Sequence, residues 1–248
     1  MTGRWLAGPP WDARPLAVVV PPGSAGPELL SGWPAALPGA DVALVQVPGR
    51  GARLFETPVP SIVDLADALA CHLTDLVPER WVLAGHCSGS HLALEVAHRM
   101  VAAGRPPLRL VVSGSRPPHG LADPESAESK AAAELLSLND RELSGRLGLD
   151  QSTVDDDVAA AMLAAYRAAV EAAAAHRHRH GPLGVAVEVW RGEDDDVFGE
   201  QDAHGWSGYA TTEPVHAVFT GRREYFEQPR SATVDRVARA LDVARGTR

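Results

Sequence analysis

A cysteine flanked by glycines is the residue of this chain whose surroundings most directly indicate chemistry. Residues 85–89 read Gly-His-Cys-Ser-Gly, the G-x-S-x-G pattern of a nucleophile elbow with Cys87 in place of serine. The elbow needs glycines two residues either side of the nucleophile, because larger side chains would clash in so sharp a turn. Apolar residues 81–84 predict a strand before it, and Leu92 and Val96 follow at helical spacing. The pattern therefore predicts acyl-transfer chemistry through Cys87.

Two backbone N–H groups are predicted to stabilise the oxyanion of that reaction. The N–H of Ser88 follows the nucleophile directly, and Gly23 lies in a loop of small residues after the first predicted strand. The Cys87 thiol would also lie near the positive end of the following helix, which favours the reactive thiolate.

An orienting carboxylate is predicted in residues 190–197, at the end of a late strand. Three successive acids, Asp194, Asp195 and Asp196, leave the choice open at this point. Two of the three would then be solvated loop acids.

The elements that must position these residues alternate between short apolar runs and helical patterns. The runs predicted as strands are 16–20, 42–47, 81–84, 108–112, 185–190 and 215–219. This alternation predicts an α/β fold with a mostly parallel sheet and helices on both faces. The 248 residues form one predicted domain, 1–248.

The alternation breaks over residues 121–182, which we interpret as a helical lid insertion over the strand ends. Two helical patterns follow each other there, and the second has Ser152 or Thr153 as its predicted cap. The predicted apolar stripe of that second helix comprises Val158, Met162, Tyr166 and Val170.

Composition excludes several classes of function. The formal net charge is −9 and there is no basic block, which argues against nucleic-acid binding. The sequence shows no leader pattern and no apolar run judged long enough to span a membrane, so we expect a cytoplasmic protein. Two cysteines do not suggest a disulfide framework, and Cys71 is expected to be a small buried hydrophobe.

From about Trp11 to its C-terminus the chain resembles the type II thioesterases, discrete α/β-hydrolases that serve nonribosomal peptide and polyketide synthases. The most specific match is residues 46–53, Gln-Val-Pro-Gly-Arg-Gly-Ala-Arg, against that family's Pro-Gly-Arg-x-x-Arg stretch. Weaker matches are residues 21–25 in the oxyanion loop, Trp33, residues 112–116, residues 178–183 and Trp206.

The resemblance implies an α/β-hydrolase fold, a carrier protein with a phosphopantetheine-linked substrate as partner, and no cofactor. It places the acid at Asp195. The family ends its last strand with Phe-x-Gly-Gly-His-Phe, whose histidine is the general base, whereas residues 219–226 place Arg223 at that position. Arginine cannot accept a proton at neutral pH, so two of the three catalytic positions depart from the family pattern.

These departures predict acyl transfer without ordinary hydrolysis. A thiolate at Cys87, supported by the Arg223 cation, can attack a thioester without a histidine. Water is a poorer second nucleophile because it must lose a proton as it attacks. We therefore expect transfer or cyclisation from a carrier-bound thioester to be favoured.

Three alternatives stay open. The first is an editing hydrolase that uses a displaced histidine, with His216 and His119 as candidates, whereas His86 is expected to pack away from the site. The second is a trans-acting Dieckmann-type cyclase, although that class also uses a histidine. The third is a degenerate, non-catalytic binding protein.

A metal site is not expected. His176, His178 and His180 alternate with arginines, the spacing is typical of a strand, and no acidic ligand lies nearby in the sequence.

Overall fold

Seven strands form a single sheet within the part of the chain that is described. The structure, a computed structural model, describes residues 5–8, 14–37, 39–121, 125–149, 154–227 and 231–242. The strands are β1 (Leu6–Ala7), β2 (Leu16–Val20), β3 (Asp41–Val45), β4 (Trp81–His86), β5 (Arg109–Ser113), β6 (Ala186–Gly192) and β7 (Val215–Phe219).

Helices alternate with these strands. They are α1 (Trp33–Ala36), α2 (Ile62–Thr74), α3 (Gly89–Ala102), α4 (Pro118–Leu121), α5 (Ala127–Ser137), α6 (Asp140–Arg146), α7 (Asp156–Ala175), α8 (Glu200–His204), α9 (Glu224–Glu227) and α10 (Ser231–Asp242). The Ser61 hydroxyl begins α2 by accepting the Asp64 N–H, a side-chain cap that satisfies a free donor of the first turn.

The sheet has the order β1-β3-β2-β4-β5-β6-β7. All its neighbouring strands are parallel except β1, which pairs antiparallel with β3. Successive side chains of β2 point to opposite faces, so Val18 belongs to one apolar core and Val19 to the other. Both faces are therefore covered, which confirms the predicted α/β class.

The predicted strands agree with the structure to within two residues at each end. The exception is β1, which the sequence did not reveal because two residues are too few to show a period. The three central strands β2, β4 and β5 are buried almost throughout, as expected for apolar runs without alternation.

Within the described residues between β5 and β6 there are four helices rather than the two predicted. The N-cap of α7 is Asp155, whose side chain accepts the Asp157 N–H, whereas Ser152 and Thr153 lie outside the described residues. The apolar stripe predicted for α7 is not packed in the core. Met162 is exposed, and Val158, Tyr166 and Val170 are only half-buried. The buried residues of α7 are Ala159, Leu163, Ala165, Ala168 and Ala172.

Two composition-based expectations also need correction. Cys71 is exposed, because it lies on the outer face of α2 while Leu69 and Leu73 point into the core. Helix α7 is 20 residues long and apolar enough to cross a membrane by length and composition, contrary to our expectation. This is weak evidence for a span, since many of its residues are alanines that pack over the sheet.

Candidate active site

Cys87 sits at the apex of a sharp turn between β4 and α3. Its φ of 51° is the one positive φ among the described non-glycine residues. A Cβ on Gly85 would lie 2.5 Å from the backbone oxygen of Gly89, and a Cβ on Gly89 would collide with the backbone oxygen of Pro21. The two glycines are therefore required by close backbone approach, and the strained turn projects the thiol over the strand ends.

The loop after β2 brings Gly23 against the elbow. The Gly23 N–H donates to the Ser88 hydroxyl oxygen at 2.8 Å. The two residues predicted for the oxyanion hole are thus neighbours, but the Gly23 N–H is already engaged in a hydrogen bond to the Ser88 hydroxyl. Rotation of that hydroxyl would free the N–H for a developing oxyanion.

Arg50 holds the same loop to the lid. Its guanidinium donates to the Gly23 carbonyl oxygen at 2.6 and 3.1 Å, to that of Gly49 at 3.0 Å, and to that of Ala165 on α7. Burial, opposed by Glu28, lowers the pKa of Arg50 to about 10, so it stays charged at neutral pH. Sequence comparison marked this arginine as part of a motif but did not reveal its contacts.

Asp195 is the acid that the structure brings toward the elbow. Its carboxylate accepts the N–H groups of Val197 and Phe198 at 3.0 and 3.1 Å, and Arg223 Nε at 3.2 Å. The Asp195 side chain is 1% exposed, whereas Asp196 forms an exposed pair with Arg222. Asp195 therefore holds an arginine where a triad acid would hold a histidine.

A cavity of about 300 Å³ joins these groups beneath the lid. Its lining includes Cys87, Ser88, His91 and Arg223 from the sheet side, and small or apolar side chains from the lid. The lid contributes Ala131, Ala132, Leu135, Tyr166, Ala169, Val170 and Ala173. Tyr166 and Val170 are thus half-buried because they face this cavity rather than a packed core.

The proposed displaced bases do not reach this cavity. His119 bonds and stacks with Tyr209, and His216 on β7 lies against His204; neither lines the cavity. His86 points away as expected, with Nδ1 2.9 Å from the Ser113 hydroxyl and its ring stacked on Phe226.

His91, which our sequence reasoning missed, is the histidine that lines the cavity. It follows Cys87 by four residues, a spacing that places both on one face of the turn and helix. Its Nε2 lies 3.0 Å from the Ser115 hydroxyl, while Nδ1 is buried without a hydrogen-bond partner. Burial, with a smaller contribution from His176, lowers the pKa of His91 to about 3, so the ring is neutral.

The sequence premise against a metal site is also wrong. Residues 176–180 form neither strand nor helix, and an acid lies beside them: Glu95 Oε1 is 2.9 Å from His178 Nδ1. Glu95 precedes the run by more than 80 residues, so its proximity depends on the fold.

Known proteins resemble this chain over most of its length. A model of the thioesterase domain family matches residues 15–241. A probable cadicidin biosynthesis thioesterase of Streptomyces griseus is 31% identical over 211 residues, which cover 82% of this chain and 56% of that protein. The chain thus spans little more than half the length of this curated relative.

Two solved structures share the fold from end to end. The type II thioesterase BorB of the borrelidin cluster aligns with a TM-score of 0.80 and 27% identity over 96% of each chain. RedJ, a thioesterase of the prodiginine pathway of Streptomyces coelicolor, aligns with a TM-score of 0.71 and 28% identity over 96% of this chain and 94% of its own.

Proposed function

The chain belongs to the thioesterase family of α/β-hydrolases, and from this premise we propose that it transfers acyl groups from carrier-bound thioesters through an acyl-Cys87 intermediate. One observation carries the proposal: Arg223, at the position where the resemblance expects the general base, is paired with Asp195 and lines the same cavity as Cys87. This site can form an acyl-enzyme and lacks the usual means of hydrolysing it.

Acylation exchanges one thioester for another. The Cys87 thiolate attacks the substrate carbonyl, a new C–S bond forms, and the carrier's phosphopantetheine sulfur leaves as a thiolate that takes a proton from solvent. The exchange is near thermoneutral, because one thioester replaces another. The N–H groups of Ser88 and Gly23 would stabilise the oxyanion once the Ser88 hydroxyl has rotated.

Deacylation then depends on the second nucleophile. Water must give up a proton as it attacks, and a guanidinium cannot take one. A neutral amine, a thiolate or a stabilised carbanion of the same acyl chain is a stronger nucleophile than water: it bonds to the acyl carbon, Cys87 leaves as a thiolate, and the proton lost by the incoming group passes to solvent. Transfer or cyclisation is therefore favoured over hydrolysis in this proposal.

The lining of the cavity supports an apolar acyl group. Alanine, leucine and valine side chains of the lid line the cavity, and Tyr166 is the one hydroxyl-bearing side chain that the lid adds to its described lining. By analogy with its relatives from biosynthetic clusters, we propose a carrier protein of a polyketide or nonribosomal peptide pathway as the partner.

A second candidate function, editing hydrolysis, is favoured by the position of His91. His91 lines the Cys87 cavity, and its buried Nδ1 atom has no hydrogen-bond partner among the described residues. Its low pKa makes it a weak base, which is why we place this function second.

The test is intact-mass measurement after mixing the protein with an acylated carrier. We expect an acyl adduct on Cys87 that persists for minutes in buffer and decays when an amine or thiol acceptor is added. Cys87→Ala should form no adduct, and Cys71→Ala, the matched control at the other cysteine, should form it normally. Rapid turnover without an adduct, or turnover retained in Cys87→Ala, would overturn the proposal.

The same assay separates the alternatives. Adduct decay in buffer that is fast in the native chain and slow in His91→Phe would establish editing hydrolysis. If the protein binds the carrier tightly but its Cys87 thiol is never acylated, the non-catalytic binding function would be established.

A further inference from the structure

Four ionisable side chains meet where the chain leaves the lid. His176, His178 and His180 follow α7, and all three face Glu95 on α3. The Glu95 Oε1 atom lies 2.9 Å from His178 Nδ1 and 3.6 Å from His176 Nε2, while Oε2 lies 3.3 Å from His180 Nε2. The cluster thus ties the exit of the lid to the helix that begins at the nucleophile.

These separations suit a tetrahedral metal. With zinc–ligand distances of about 2.0–2.1 Å, neighbouring ligand atoms of a tetrahedral site lie about 3.3 Å apart. One ligand atom each from Glu95, His176 and His178 lies within 4.8 Å of the others. Imidazole and carboxylate together are typical zinc ligands.

Several nitrogens of the cluster have no partner within the protein. Both ring nitrogens of His176 and the Nε2 atoms of His178 and His98 are buried without a hydrogen bond. The side chains of His176, His178 and Glu95 are only 1%, 4% and 2% exposed. Buried polar atoms are normally satisfied, so His176 Nε2, which has no partner in the described part of the chain and lies 3.6 Å from the buried Glu95 Oε1, indicates a missing ligand.

An ion can also reach the cluster from solvent. A cavity of about 450 Å³ is lined by Glu95, His176 and His180, and His180 is half-exposed at its mouth. Arg99 donates to Glu95 Oε2 at 2.8 Å, which leaves Oε1 as the oxygen that faces His176 and His178.

We propose that Glu95, His176, His178 and His180 bind a Zn²⁺ ion that fastens the exit of the lid to α3. The ion would replace the shared proton between Glu95 Oε1 and His178 Nδ1, and the remaining ring proton of His178 would reside on Nε2. His91 packs edge-on against His176 with ring centroids 5.8 Å apart, so the ion would also restrain a side chain that lines the Cys87 cavity. The site is separate from the acyl chemistry and does not depend on it.

The test is isothermal titration of the full chain, freed of metal with EDTA, with ZnCl₂. We expect one ion per chain, and binding at least tenfold weaker in His178→Ala and Glu95→Gln. His216→Ala, which removes a histidine of the distant His204–His216 pair, is the matched control and should bind like the native chain. His180→Ala changes a half-exposed side chain, so it tests the site even if Glu95→Gln fails to fold.

A second readout follows the lid itself. Zn²⁺ should slow hydrogen exchange in residues 174–182 of the native chain and leave exchange unchanged in His178→Ala. Absence of a 1:1 complex in the native chain, or native affinity in both His178→Ala and His180→Ala, would overturn the proposal.

Discussion

The Asp195 carboxylate is fixed in place as the acid of a catalytic triad would be, but its partner is the Arg223 cation. Two backbone N–H groups fix it, its side chain is 1% exposed, and its second oxygen receives Arg223 Nε at 3.2 Å. A histidine at position 223 would have this carboxylate oxygen as its hydrogen-bond acceptor. The acid and its backbone contacts are thus present beside the two positions that depart from the family pattern, Cys87 and Arg223.

Replacing that residue gives a sharp prediction. Arg223→His should restore a general base oriented by Asp195, and we expect hydrolysis of the acyl-Cys87 adduct to accelerate about ten- to a hundredfold. The measurement is the decay of the adduct in buffer, followed by intact mass. Arg223→Lys keeps the charge and supplies no neutral base, so its decay should stay slow. Equal decay in the two variants would contradict the role assigned to position 223.

Local spacing explains which site residues could be predicted. The positions of Cys87, Asp195 and Arg223 follow from short motifs at strand ends, where the backbone fixes the side chain. Spacing alone did not show which of the three candidate aspartates lies beside Arg223. In the folded structure it is Asp195. His91 could have been found from its four-residue spacing after Cys87, whereas Glu95 could not have been linked to residues 176–180 without the packing of α3 against the lid exit.

At the scale of elements, Arg50 joins the oxyanion loop to the lid. Its side chain is 7% exposed and donates to carbonyl oxygens of three separate segments, at Gly23, Gly49 and Ala165. The guanidinium thus links the Gly23 loop, which also bonds to Ser88, to Gly49 and to Ala165 on α7.

Removal of this arginine should affect both stability and acylation. Arg50→Ala removes a largely buried guanidinium donor from the carbonyl oxygens of Gly23, Gly49 and Ala165, and we expect the free energy of unfolding to fall by about 2–4 kcal/mol. Acylation of Cys87 should also slow, because Gly23 is no longer held against the elbow. Urea unfolding and the rate of adduct formation are the measurements. Arg239→Ala, an exposed change on α10, is the control and should shift stability by about 0.5 kcal/mol or less.

Native acylation kinetics in a folded Arg50→Ala variant would contradict this role. The comparison with Arg50→Lys is informative in the same assay. A single ammonium cannot reach all three carbonyl oxygens at once, so we expect it to recover only part of the lost stability.

The sequence predicted elements best where they are regular and buried. The central strands were found because they are continuous apolar runs. The lid was less predictable: α7 is rich in alanine, which marks no face, and Tyr166 and Val170 of the predicted stripe line a cavity instead of a packed core. Two-residue β1 has no period at all.

At the scale of the whole molecule, each face of the sheet buries a neutral histidine. His86 lies beneath the site, and burial, with Arg223 acting in the same direction and Asp195 opposing it, lowers its pKa to about 3. His91 lies on the lid side, where burial and the neighbouring His176 lower its pKa to about 3, opposed by Glu95. Both rings are therefore uncharged in the folded protein across the neutral range.

Because both histidines are buried in neutral form, we expect mild acid to destabilise the folded protein. In the unfolded chain each has a pKa of about 6.5, so between that value and about 3 the unfolded state binds more protons than the folded state. Stability is thus complete above pH 6.5 and is lost as the pH falls, with a limiting slope of about 1.4 kcal/mol per pH unit for each histidine. Urea unfolding between pH 7.5 and 5, with EDTA present to exclude metal, should show a steepening loss, and His91→Gln should reduce its slope by about one proton. A free energy of unfolding that is constant over this range would contradict the burial of both rings in neutral form.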